Sequence, residues 1–171
     1  MSAPATSAAT PVDTTQVSNR RKLRFNSIDD MLADINRLVA AEKAGQLKQL
    51  GNWTLGQTLN HLAAWSEFGY KGYPQLKVPF FIRWILRLQK NKFIKGPMPA
   101  GVKIPGVPGG TLATEPAAVE EALPRLRQVM ERLKVELPPV PSPAIGKLTH
   151  DEAIALNLRH AELHLGFFET A

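Results

Sequence analysis

The chain contains no cysteine. That excludes disulfides, thiolate metal ligands and a cysteine nucleophile, and it suits a reducing, cytoplasmic setting. Any thiol chemistry would have to borrow its thiol from a small molecule. Long apolar runs are missing too: no stretch approaches the roughly 20 residues of a membrane span. Acidic residues are absent between Glu67 and Glu115, while the same stretch holds Lys71, Lys77, Arg83, Arg87, Lys90, Lys92, Lys95 and Lys103. This one region accounts for the formal net charge of +6. Such a patch attracts anions through its long-range field, so the expected partner is a small anionic substrate. No motif for reading nucleic-acid bases accompanies it, and a nucleic-acid partner is not expected.

The chain has 171 residues, enough for one domain with a substantial core. Residues 1–19 are rich in Ala, Thr, Ser and Pro and read as a disordered tail rather than a signal peptide, lacking a basic start and an apolar run. Residues 20–171 form the domain. Arg20-Arg21 is not a twin-arginine export signal, because Lys22-Leu23-Arg24-Phe25-Asn26 follows instead of an apolar segment.

No segment alternates as a strand, and the patterning is helical throughout. Ser27-Ile28-Asp29-Asp30 looks like a helix N-cap with acids in the first turn. Ile28, Met31, Leu32, Ile35, Leu38 and Val39 then recur at helical spacing up to Gly45. Thr54 and Gln57 suggest a capping box opening a second helix, which fades over residues 69–74. A bulky third helix is expected over residues 79–93, its apolar residues packed in the core and its basic ones, Arg83, Arg87 and Lys90, on one side. The other option for this basic amphipathic segment is an anionic membrane surface. Residues 96–110, with four prolines and five glycines, must form a long loop, of the kind that lines or covers a functional opening. Thr114 is expected to cap a fourth helix with Pro116 in its first turn and Pro124 kinking or splitting it. The last helix begins at Thr149-His150-Asp151-Glu152, with His150 on the surface.

The histidines carry the chemistry. His160 and His164 lie one turn apart and therefore on one face. With about 100° per residue, Leu156, Asn157, Ala161, Leu163, Phe167 and Phe168 surround that face. Arg159, Glu162, Asp151, Glu152 and Glu169 fall on the opposite, solvated arc. His61 has Gln57, Thr58, Leu62, Trp65 and Phe68 beside it. Two helices thus aim imidazoles at a shared interior. Buried imidazoles need partners: either a divalent metal held by three nitrogens or hydrogen bonds with Gln57, Thr58 or Asn157. Gln57 and Asn157, each one turn before a histidine, are polar lining candidates, and Trp65 is a pocket wall or core residue. No general base stands out.

The segments Arg20-Arg21-Lys22-Leu23-Arg24-Phe25, Gly51-Asn52-Trp53-Thr54-Leu55-Gly56-Gln57-Thr58-Leu59-Asn60-His61-Leu62, Lys95-Gly96-Pro97-Met98-Pro99-Ala100-Gly101 and Gly146-Lys147-Leu148-Thr149, with His160, His164-Leu165 and Phe168, together make the chain resemble the DinB/YfiT-like metalloenzyme superfamily, and within it the DUF1569 branch. The resemblance implies an all-α, four-helix bundle and a divalent metal, zinc or nickel. Its three histidine ligands, one from the second helix and two from the last, match His61, His160 and His164. It also implies a transferase or isomerase that uses a low-molecular-weight thiol, with metal-assisted hydrolysis as the second option. A helical bundle that binds metal or an anionic surface without turnover is the alternative, and a homodimer is the expected assembly. The chain departs from the pattern at Ser142-Pro143-Ala144-Ile145-Gly146, where a His-Pro-x-Phe-Gly stretch is expected, and at Leu163-His164, where relatives carry adjacent histidines.

Overall fold

A computed structural model describes residues 11–74, 79–104 and 107–170. It is mostly helical, with six α-helices and a two-stranded sheet among the described residues. Residues 1–10, the first part of the expected tail, lie outside the described residues, as do Lys77 of the basic stretch and Pro105 and Gly106 of the long loop.

Helix α1 (Ile28–Lys43) starts where Ser27 accepts the Asp30 amide, and it stops before Gly45, whose φ of +67° suits glycine. Helix α2 (Leu55–Lys71) ends at Gly72, again at positive φ. The Thr54 hydroxyl accepts the Gln57 amide, but the Gln57 side chain does not complete a capping box. It donates instead to the Thr114 carbonyl across the fold, at 2.6 Å. Helix α5 spans Val119–Val135 and α6 spans His150–Leu165. At the start of α6 the full reciprocal box forms between Thr149 and Glu152. These four long helices share one core, built from Met31, Ile35 and Leu38 of α1, Leu55, Leu59 and Leu62 of α2, Leu126, Met130 and Leu133 of α5, and Leu158, Ala161 and Leu165 of α6.

Several expectations need correction. Helix α5 begins at Val119, not after Thr114. The backbone of residues 114–115 is drawn across α2 instead, where Gln57 and Asn60 donate to the Thr114 and Glu115 carbonyls, and Pro116 keeps the residue before it extended. Pro124 does not split α5. It lies on the exposed side, where the carbonyl that loses its partner can bond water. The expected third helix is two: α3 (Phe80–Leu88) and α4 (Lys90–Lys95), meeting at Gln89. Ile94 of α4 is buried, but no residue of α3 is, so the bulky segment does not enter the core.

The strands were not anticipated. β1 (Leu47–Gln49) pairs antiparallel with β2 (Phe168–Thr170), Lys48 facing Glu169 with their charges 3.1 Å apart. Phe168 and Glu169 therefore belong to a strand that follows α6, not to the helix face itself. The pair ties the α1–α2 connection to the end of α6.

Gly56 marks the closest approach of α2 to the start of α5. A Cβ there would overlap the Ala117 carbonyl oxygen and come within 3.0 Å of the Val119 nitrogen. These are backbone atoms, so relief requires moving α5. Gly56→Ala is expected to lower stability by about 3 kcal/mol despite its better helix propensity, measured as a shift of the urea midpoint.

Candidate metal centre

His61 stands midway along α2 and is 1% exposed; His160 and His164 stand on the last turns of α6 and are half-buried. The three rings converge. His61 Nε2 lies 3.2 Å from His160 Nε2, and His160 Nε2 lies 3.1 Å from His164 Nε2. One ligand atom from each histidine lies within 4.8 Å of the others. Tetrahedral zinc with bonds of about 2.0–2.1 Å separates its nitrogens by about 3.3 Å, so both measured edges suit a shared ion.

The tautomer of His61 follows from its other nitrogen. Nδ1 lies 2.9 Å from the Leu112 carbonyl, which can only accept. Nδ1 therefore carries the proton, and Nε2 presents a lone pair. The Leu112 carbonyl is presented by a bend at Ala113, a non-glycine residue at φ +56°. His160 Nε2 meets both other Nε2 atoms, yet one nitrogen proton cannot serve two acceptors at full strength. A cation satisfies all three nitrogens at once. The donor set fits a divalent metal on these grounds, and the three-histidine cluster could hold one.

Burial pushes all three rings toward the neutral form. Burial drives His61 down to about 4, opposed by the backbone hydrogen bonds of Leu112 and Ala113 and by the charge of Glu115. His160 is driven down to about 3 by burial and then by His61. His164 is held well below the usual imidazole value by burial, then His160, His61 and Arg20. Near neutral pH the cluster is therefore uncharged and ready to ligate.

A pH dependence follows. The folded-state values of His61 and His160 lie below the ordinary 6.5, so the unfolded chain takes up protons first as pH falls. Stability from the neutral cluster is present above about pH 6.5 and declines toward pH 4, by up to about 1.4 kcal/mol per pH unit for each histidine. Urea unfolding of chelator-treated protein between pH 7 and 5 checks this, and His160→Phe is expected to flatten the slope.

Aromatic side chains wall the cluster. Trp53 stacks on His164, with centroids 5.1 Å apart and planes at 11°, and also lies 4.8 Å from the His61 ring. Trp65 lies tilted beside His61 and edge-on to His160, and its indole nitrogen is buried without a partner. Gln57 does not touch the histidines through a hydrogen bond; it holds Thr114, two residues beyond the carbonyl that orients His61. Asn157 accepts from Ser66 at 2.7 Å and donates to Ala153, linking α6 to α2 below the cluster. His150 is half-buried, not on the surface, its Nε2 2.6 Å from the Leu133 carbonyl, and it takes no part in the cluster.

His164 also lines a cavity of about 690 Å³ with Trp53, Thr58, Leu163, Phe167 and Phe168 from the helical body, Ala100, Gly101, Lys103 and Gly109 from the long loop, and residues 11–15. Val12 exchanges two hydrogen bonds with Asn52, of 2.7 and 2.8 Å. Sequence reading passed over Trp53, which precedes the N-cap and so escapes helical periodicity, and Arg20, which stacks on Phe167 4.6 Å from the ring centre. Their signal in the sequence is that both stand in segments that carry the family resemblance.

The protein is thus a mostly helical one with three histidines placed to bind a metal ion. The model of a family described as Protein of unknown function (DUF1569) matches residues 17–171, and the chain belongs to that family. No curated protein and no solved structure matches it.

Proposed function

We propose that the chain is a divalent-metal-dependent enzyme of the DinB/YfiT-like kind. In this reading α1, α2, α5 and α6 are the four-helix bundle, residues 1–19 are a tail, and residues 20–171 are the catalytic domain. The observation that carries it is the meeting of three neutral imidazole nitrogens beside a cavity of about 690 Å³. His61, His160 and His164 would hold zinc or nickel. When bound, such an ion polarises a carbonyl or stabilises a thiolate or hydroxide at the position that three protein ligands leave open.

The chain's own residues do the rest. Arg20 acts on His164 electrostatically, and Lys103 lines the cavity. They supply positive charge for an anionic substrate or thiol cofactor. Trp53 and Phe167 give an apolar wall for its body. Gln57 and Asn157 position the ligands through Thr114 and Ser66. Of the acidic residues, Asp13 lines the cavity, and its carboxylate is engaged by Thr15. Both bonds fall on Oδ1, so metal-assisted hydrolysis stands as the second reading beside transfer or isomerisation with a thiol.

Cobalt-loaded protein tests the reading. Adding a small anionic thiol is expected to produce a thiolate-to-cobalt absorption band and to support turnover of electrophilic substrates. A protein that binds no stoichiometric metal, or whose cobalt spectrum ignores thiols, overturns it.

A further inference from the structure

Helix α3 presents an apolar face to solvent. Phe80 is 77% exposed, Trp84 64% and Leu88 68%, with Phe81 and Ile85 beside them. At about 100° per residue these five side chains occupy one arc of about 140°. Ile82 and Leu86, on the other side, are half-buried and seat the helix on the protein. The outward face is therefore not a core face that has drifted out of place, because the helix already spends a separate stripe on packing. Contiguous exposed apolar surface of this kind marks an interaction site.

The surrounding charge is of one sign. Arg83 and Arg87 flank the apolar arc, one turn apart, and Lys92 and Lys95 follow on α4. All four are exposed, and among the described residues none is ion-paired. Lys71 and Lys90, by contrast, are neutralised by Glu67 and Glu152. No acidic residue occurs from 68 to 114. Aromatic side chains on one side and cations beside them are the elements of a helix that lies in a bilayer interface: the rings enter the acyl boundary and the cations meet anionic headgroups. A second copy of the chain is a poor occupant, since its own patch carries the same sign. Through Ile94 and the Lys90–Glu152 pair, α4 fixes this platform to α6.

We propose that α3, with Arg83, Arg87, Lys92 and Lys95, is a docking face for an anionic lipid bilayer. It is independent of the metal reading and does not require activity. Flotation of the full chain with phosphatidylcholine vesicles containing about 30 mol% phosphatidylserine tests it. The protein is expected to float with these vesicles, to stay behind with pure phosphatidylcholine, and to be released by about 0.5 M salt. Phe81→Glu with Trp84→Glu, and separately Arg83→Glu with Arg87→Glu, are expected to weaken binding at least about tenfold. All these side chains are exposed, so helicity and metal content should not change. Failure to float, equal binding to neutral vesicles, or unaltered binding by the variants overturns the proposal. So does a wild-type dimer that the Phe81→Glu, Trp84→Glu variant dissociates and that vesicles do not compete with.

Discussion

His160→Ala is expected to lower metal affinity by at least about a hundredfold while leaving the fold in place. His160 is the hinge of the cluster, since its Nε2 alone touches both other Nε2 atoms, at 3.2 and 3.1 Å. Its removal leaves only two imidazole ligands, His61 and His164, whose ring centres still lie 4.7 Å apart. The cost to the apo fold should be small. The ring is half-buried and its nitrogen is crowded against two others, so the substitution removes a polar group that burial already penalises. Metal analysis of tag-free protein should therefore give near-stoichiometric metal for wild type and little for the variant. The thermal stabilisation on adding metal should vanish with it. His150→Ala is the contrasting control. It loses the 2.6 Å contact to the Leu133 carbonyl and about 1 kcal/mol of stability, and it keeps the metal. Equal metal in wild type and His160→Ala would remove the ground for any metal chemistry here.

The ligand cluster was legible because its two parts are local signals: a histidine pair at four-residue spacing inside an apolar stripe, and one more on the apolar side of another helix. What periodicity cannot show is what covers a face. It put Arg159 and Glu162 on the side of α6 away from the histidines, which is where they are. They are nonetheless buried, because residues 21–25 run across that side. The same gap explains α3, whose apolar residues fit a core or an exposed platform equally well. Thr114 failed as a cap because its carbonyl was already committed to a side chain 57 residues away. The strands, three residues each, are too short to show alternation, and only their pairing defines them.

The covered side of α6 makes Glu162 the second position of large effect. One of its carboxylate oxygens accepts the Phe25 amide at 2.6 Å and meets the Arg159 guanidinium at 2.6 Å; Arg159 in turn donates to the Phe25 carbonyl. The side chains are 4% and 8% exposed, and the Arg159 Nε has no partner. Glu162→Ala would leave a buried guanidinium without its counter-charge and an amide without its acceptor. Losing one partner of such a pair costs about 3–5 kcal/mol, far more than a surface pair contributes. Urea unfolding should show that loss, and residues 20–25 should lose hydrogen-exchange protection first, because Arg21 and Phe25 anchor that strap to α6. Glu162→Gln keeps an acceptor for Phe25 but not the charge, and is expected to fall between wild type and alanine. If alanine costs less than about 1 kcal/mol, as an exposed ion pair would, the strap is not seated on α6 and the face is solvated after all.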